Sequence, residues 1–464
     1  MAEEKYLEAD EAMQLEKDGL QSQSPEEGTV QSLGVEEEKQ LVWKIDLNLM
    51  PIMFVSYILQ YIDKTSLANG AILGLRKDLH LVGQQYSWSS GMFYIGYLAA
   101  SYPMSLGFVK FPLGKYLSVM VVLWGVCLTL HSVAGGYAGL MVLRTLLGVF
   151  ESAISPGFSL ITSTWYTPRE HSLRHSIWFS GNAIGGILGS LIAYGIVFYT
   201  GSIAKWKLSD LKKFSHTTQT KKLDRDQFIE ALKDVKTWWV MCFMFVSSVP
   251  NGGISSFQTI IINGFGFSVP RTILMNMPGF GFQFFAVVTA ALATTFIRRS
   301  RLITLSMVFV PTLTGAVMLK VLPAHEKWSR LAGLWLSTML APLLPLLLSF
   351  CASNTAGFTK KSITLAMMFV GYCVGNFVGP QFFISTEAPG YKTAWDAILS
   401  CFAICLAMPI GMRIYLMLVN KRRDESQGQH IDPEAVRRVH LDEDMDLASL
   451  DETDWKNPSF RYIL

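Results

Sequence analysis

Long apolar runs alternate with short polar breaks along this chain, and the runs are of membrane-crossing length. A spanning helix needs roughly 20 predominantly apolar residues. Such runs lie near 47–66, 84–106, 116–134, 137–163 and 175–200, and, beyond a hydrophilic stretch, near 237–263, 272–297, 302–322, 331–352, 362–386 and 395–419. The pattern predicts an all-α membrane protein with five spans, a polar break, then six. It divides the chain into a disordered cytoplasmic tail over 1–44, a five-span bundle over 45–200, a basic linker over 201–236, a six-span bundle over 237–420 and a cytoplasmic tail over 421–464, largely disordered from 425.

The polar breaks object to that count. Lysine and arginine collect on the cytoplasmic side of short loops. With the N-terminus inside, the loops holding Lys110 and Lys115, and Arg169 and Arg174, are cytoplasmic. Five spans then put residues 201–236 outside, with nine basic and five acidic side chains. The later clusters follow them: Arg298, Arg299 and Arg301, then Lys360 and Lys361, then Lys421, Arg422 and Arg423. One more span before the linker would return every cluster inside. A span is therefore missing between the fifth run and the linker. The chain is left with two faults to choose between, an inverted second bundle or one early run left out of the membrane, and poor transport is expected from either.

Composition agrees with a membrane protein. Only 16% of the 464 residues are charged and 50% are hydrophobic, against roughly a quarter charged in soluble domains. A net charge of +3 is too small to argue for nucleic acid, and no zinc, helix-turn-helix or phosphate-loop pattern occurs. The acidic start, MAEEKYLEADEAMQ, lacks the basic region and apolar core of a signal peptide. Six cysteines lie in or beside apolar runs without metal-ligand neighbours and read as small buried hydrophobes. No nucleophile–base set appears. The chain is not expected to be an enzyme or to hold a cofactor.

Charges inside spans are expensive and mark function. Asp63 and Lys64 end the first run, in LQYIDKTSLANG. Arg144 and Glu151 sit in LMVLRTLLGVFESAISPG, seven residues and nearly two helical turns apart. At about 1.5 Å per residue, Lys64 and Arg144 share a level, with Glu151 about 10 Å nearer the cytoplasm. Lys64 and Arg144 then attract an anion in one cavity, while Asp63 and Glu151 are carboxylates suited to carrying a proton. The plainer alternatives are an Asp63–Lys64 pair at the end of the span and a structural Arg144–Glu151 pair. Two further runs, SSVPNGGISSFQT and FVGYCVGNFVGPQFF, carry Gly and Pro at places where a helix could break toward a central site. Asn251, Gln258, Asn376 and Gln381 would supply hydrogen bonds there; close helix packing is the alternative. Gly181, Gly185 and Gly189 recur every four residues and predict close packing. Tyr57, Tyr61, Trp88 and Trp124 either line a cavity or anchor at the lipid interface.

Motifs over nearly the whole chain carry a resemblance: IDKTSLANGAILGLRKDLHLVGQQYSW, FYIGYLAASYP, FPLGKYL, LRTLLGVFESAISPGF, VPNGGISSF, INGFGFS, AGFTKKS, GYCVGNFVGPQ, EAPGY and DWKNPSFRYIL. The chain resembles the major facilitator superfamily, within it the fungal anion:cation symporters of the allantoate permease group. The resemblance implies two six-helix bundles around a central cavity, a plasma-membrane monomer with both tails cytoplasmic, and alternating access. It also implies proton-coupled uptake of a small organic anion of the ureide, vitamin or carboxylate class. The acid–base pair carries over to Asp63 and Lys64, and the fourth span's charges to Arg144 and Glu151. Lys64 stands where many relatives have Arg, Ser101 where they often have Glu, and Ser256 where they often have Asn. The family's sixth span has no counterpart here. A non-transporting relative, defective or acting as a nutrient sensor, is the alternative.

Overall fold

The computed structural model describes residues 35–166, 171–199, 225–297, 299–427, 453–457 and 460–463. The chain forms two units, 1–47 and 48–464. In the first, the described residues begin helix α1; the packing and the cavity belong to the second. All regular structure among the described residues is helical. α1 (Val35–Gly70) continues through a π-helical turn to Asp78, and α2 (Gln85–Lys110) and α3 (Leu113–His131) follow. α4 (Tyr137–Glu151) and α5 (Ile154–Trp165) form one interrupted passage, and α6 (His171–Val197) comes next. A short α7 (Arg225–Lys233) precedes α8 (Val235–Gly264) and α9 (Val269–Phe296). Two more interrupted passages are α10 (Arg301–Met307) with α11 (Phe309–Val321), and α12 (Lys327–Ser337) with α13 (Leu343–Asn354). α14 (Phe358–Val378) and α15 (Lys392–Gln427) complete the order. Nine helices among the described residues are long and apolar enough to cross a membrane.

Glycines let these helices approach closely. A Cβ built on Gly181, Gly185 or Gly189 of α6 would stand 2.7, 2.5 or 2.6 Å from the Phe54 carbonyl, the Ile58 carbonyl or the Thr65 hydroxyl of α1. The four-residue glycine spacing is therefore the contact stripe of a tight α1–α6 crossing. Gly371, Gly375 and Gly379 do the same against the carbonyls of Met241, Phe245 and Val249 on α8. This corrects one expectation. α8 runs unbroken across Pro250, and α14 stays helical to Val378, because their glycines serve close crossing. The real interruptions lie elsewhere, just after Glu151 and at 338–342.

The same contacts fix helix direction. Along α6, residues 181, 185 and 189 meet α1 at successively later positions, so α6 runs parallel to α1. Asn69 near the end of α1 meets Thr259 near the end of α8, and α14 follows α8 in register. α1, α6, α8 and α14 thus start on one face and end on the other. The five early passages pack beside a second set of helices that runs in the same sense as the first. Tertiary contacts between the two halves set the direction, which loop charge alone does not. Between Tyr199 and Arg225 the chain must pass from the far face back to the near one. That connection lies outside the described residues, as does most of the expected linker.

Both tails depart from the expectation of disorder. Residues 1–34 lie outside the described residues, but α1 already begins at Val35, because VEEEKQLVWK is made of good helix formers without Gly or Pro. At the other end α15 continues to Gln427, and residues 453–457 and 460–463 are packed against the helix ends. Asp454 binds Lys236 Nζ at 2.6 Å and Lys360 Nζ at 2.7 Å; Lys360 also meets Glu230 and Asp234. Side-chain amides pair with the tail backbone like a neighbouring strand. Asn354 exchanges two hydrogen bonds with Ile463, and Asn420 two with Tyr462. A tail that reads as polar in sequence is held because its Asp454 joins two buried lysines that already share Asp234.

Candidate functional site

A cavity with about 140 Å³ of room for the centres of water molecules lies among α1, α2, α4–α6, α8, α9, the α12–α13 interruption and α14. One face of α1 supplies Tyr57, Gln60, Tyr61, Lys64, Thr65 and Ala68. Their spacing of three and four residues is that of a single helical stripe. Among the described residues, Lys64 is the only Lys or Arg lining the cavity, and Glu151 the only acid. Its ammonium stands 3.7 Å from Glu151 Oε1 and donates to the Tyr372 hydroxyl at 3.4 Å, with the Phe93 ring 5.9 Å away. The Lys64 side chain is 31% exposed, while that of Glu151 is wholly buried. Gln60 Nε2 donates to Glu151 Oε1 at 2.7 Å, and Glu151 Oε2 has no hydrogen-bond partner. Glu151 occupies the point where α4 ends, so the helix interruption and the buried carboxylate coincide.

The other expected residues divide. Asn251 and Gln258 line the cavity. Asn376 does not; it stands behind Asn251, accepting from its Nδ2 at 2.8 Å and donating to the Tyr372 carbonyl. Gln381 also lies off the cavity, with its Nε2 buried and unpartnered. Asp63 is one residue, and so about 100°, around α1 from Lys64. It faces α3, where Trp124 Nε1 donates to Oδ2 at 3.0 Å. Arg144 is buried and does not line the cavity. The expected Lys64–Arg144 level is thus corrected: Lys64 sits opposite Glu151, because rise along separate helices says nothing of their relative offset.

Several lining residues escaped the sequence reading. Gln60, Asn276 and Gln283 carried a readable signal. Gln60 lies one turn before Lys64, and Asn276 and Gln283 are amides seven apart in an apolar helix. Tyr57 and Tyr61 are cavity residues; Trp124 is 1% exposed and serves Asp63. Trp88, at 43% exposure, fits the interface alternative.

An all-helical chain with a polar, charge-paired cavity between spanning helices has the architecture of a carrier. Residues 53–380 match the family description of the Major Facilitator Superfamily. The chain belongs to the Major Facilitator Superfamily. It is 33% identical to the allantoate permease of Saccharomyces cerevisiae, with 92% of this chain and 87% of the permease aligned. It is 34% identical to an uncharacterized transporter of Schizosaccharomyces pombe, over 92% of this chain and 90% of that one. Among solved structures, a D-xylose-proton symporter aligns with a TM-score of 0.62 at 10% identity, covering 80% of this chain and 97% of that one. As a superfamily member the chain is a multi-pass membrane transporter, not an enzyme.

Proposed function

We propose that the cavity of this transporter is built to bind a small organic anion together with a proton, for uptake by alternating access around Lys64. The observation that carries the reading is the Lys64–Glu151 pair in the cavity wall. While Glu151 is ionised it competes with any anion for the ammonium, since both attractions act over a few ångström in a poorly screened space. A proton on Glu151 removes that competitor, and Lys64 becomes the counter-charge of the substrate, so anion and proton enter together. Release of the proton on the other side restores the pair and expels the anion. Asn251 and Gln258 give hydrogen bonds to the substrate, and Asn376 holds Asn251 in place. Asp63, Arg144 and Gln381 act from outside the cavity as positioning residues, with Asp63 fixing the rotation of α1. The name of the permease relative, which is for a carboxylate, supports the anion class. The basic helix ends support a cytoplasmic near face and plasma-membrane uptake.

Binding of allantoate to the purified full chain tests this reading. Lys64→Gln is expected to weaken binding roughly tenfold or more, the loss of one charge-assisted contact. Glu151→Gln is expected to retain binding but to lose its dependence on pH between about 5 and 8. Unchanged affinity in a folded Lys64→Gln protein overturns the anion assignment. Unchanged pH dependence in Glu151→Gln removes Glu151 from proton coupling.

A further inference from the structure

The stretch RDQFIEALK folds as α7 just before the spanning helix α8. At about 100° per residue, its side chains fall into separate sectors. Gln227 and Ala231 form the packed sector and are buried. Gln227 Oε1 accepts from the backbone N–H groups of Thr359 and Lys360 at the start of α14, at 3.0 and 3.3 Å. Beside them Glu230 takes Lys360 Nζ at 2.7 Å and the Thr453 hydroxyl at 2.8 Å. On the other side Phe228, Ile229 and Leu232 share one face and are 49%, 51% and 38% exposed. Asp226 and Lys233 make an exposed polar edge next to that face. What adjoins the apolar face is the outer surface of α8. Val235, Trp238, Cys242 and Phe245 are exposed and lie three or four residues apart, so they form one stripe along a membrane-crossing helix. In a bilayer that stripe meets lipid. Trp238 Nε1 donates to the Leu232 carbonyl at 2.8 Å, so the stripe begins where the α7 face ends. Asp234 separates the two helices with extended backbone and accepts from the Lys236 N–H at 2.9 Å.

We propose that α7 lies in the phospholipid leaflet on the near face, with Phe228, Ile229 and Leu232 against acyl chains and Asp226 and Lys233 toward water. An amphipathic helix in this position buries its apolar side about 5–10 Å into the boundary between headgroups and chains. Trp238 suits that depth, since its indole is apolar apart from one N–H and its kind gathers at membrane interfaces. Phospholipid is the occupant because the face runs through Leu232 and Trp238 directly into the lipid-facing stripe of α8. A water-soluble partner would have to stop at that junction, where no polar boundary marks an edge. Through Gln227 and Glu230 the helix then ties the start of α14 and the docked tail to the membrane surface.

The test reconstitutes the full chain in phosphatidylcholine nanodiscs that carry a phosphatidylcholine with a photoreactive diazirine in its acyl chain. Adducts mapped by mass spectrometry are expected on Phe228, Ile229 and Leu232 as well as on Val235 and Trp238, and not on Asp226 or Lys233. A second measurement reads depth from a nitroxide attached at Asp226→Cys, Ile229→Cys, Leu232→Cys or Lys233→Cys, with the native cysteines replaced by serine. Labels at 229 and 232 are expected to be several-fold less accessible to a water-soluble nickel chelate than those at 226 and 233, and more accessible to oxygen. The photolabelling uses the unsubstituted chain, so it stands even where a cysteine-replaced version fails to fold. Adducts on Val235 and Trp238 with none on α7 overturn the proposal, as does equal nickel access at 226 and 229, which puts the apolar face in water. Shielding of 229 and 232 from both nickel and oxygen also overturns it, since protein then covers the face. Spectral broadening that disappears on dilution with unlabelled protein would identify that cover as a second copy of the chain.

Discussion

Asp63 is 1% exposed, and Trp124 supplies the hydrogen bond to one of its two oxygens while the other has none. A buried carboxylate left without its donor carries most of its desolvation cost. Trp124→Phe removes that donor together with one ring of a buried indole, and is expected to destabilise the protein by about 1–3 kcal/mol or more, read as a lower melting temperature in detergent. Anion affinity should change little, because neither side chain lines the cavity. A large loss of affinity with no loss of stability would mean that Asp63 reaches the substrate. The neighbouring Lys64 is the opposite case, a cation 31% exposed and aimed into the cavity. Lys64→Arg keeps the charge but exchanges a point charge for a planar fork, and is expected to retain anion binding while altering the preference among carboxylates. The adjacent charges were legible as important from sequence. Their division of labour was not, since it depends on what α3 and α4 place beside each one.

Among the elements, the C-terminal segment 453–463 shows how far a polar tail can be structural. Burial alone would raise the pKa of the Asp454 carboxyl. The charges of Lys236 and Lys360 and their hydrogen bonds outweigh that and hold it below the ordinary carboxylate range. A carboxyl depressed on folding contributes stability above its unfolded value and loses it as pH falls through the folded one. Docking of the segment is therefore expected to hold at neutral pH and to fail in acid, below the ordinary carboxylate range. Amide hydrogen exchange at residues 453–463 measures this directly. Asp454→Asn is expected to raise exchange there at neutral pH, since it removes the carboxylate that ties the segment to buried Lys236 and Lys360, which keep only Asp234 and Glu230. Unchanged protection in that variant would place the docking in the Asn354 and Asn420 backbone pairs. The α1–α6 crossing makes a second expectation. Gly185→Ala puts a methyl 2.5 Å from the Ile58 carbonyl, and overpacking of this kind costs about 1–3 kcal/mol. A melting temperature equal to that of the parent would show that the crossing relaxes freely.

For the whole molecule, the decisive observation is direction. α6 ends on the face opposite the one where α7 and α8 begin, and six lysines lie in the connecting residues 200–224. Six lysines in one stretch make it a poor membrane span, since each costs about 2.5–3.5 kcal/mol at the bilayer centre. The alignment with the allantoate permease extends over 485 positions, more than the 464 residues of this chain, so the permease carries residues that this chain lacks. Transport by the chain as written is expected to be weak or absent. It should rise at least tenfold (an expectation set by completing one bundle) when an apolar span is inserted between Tyr199 and Arg225. Equal uptake by both versions, at equal surface abundance, would refute the missing-span argument.

The amino-acid sequence by itself determined the helical spans, the membrane class, the family, and the mismatch between loop charge and span count. Each depends on local hydropathy or on short motifs, and both are properties of neighbouring residues. It also marked Lys64 and Glu151, because charge in an apolar run is conspicuous wherever the run is placed. Only the tertiary structure decided that these two meet while Arg144 lies off the cavity, and that Asn276 and Gln283 line it together with Asn251 and Gln258. The docking of Asp454 on two lysines more than 90 residues away was likewise a tertiary outcome. The rotation and vertical offset of one helix against another come from glycine crossings and aromatic packing between distant segments. Those contacts have no trace in the periodicity of either segment alone.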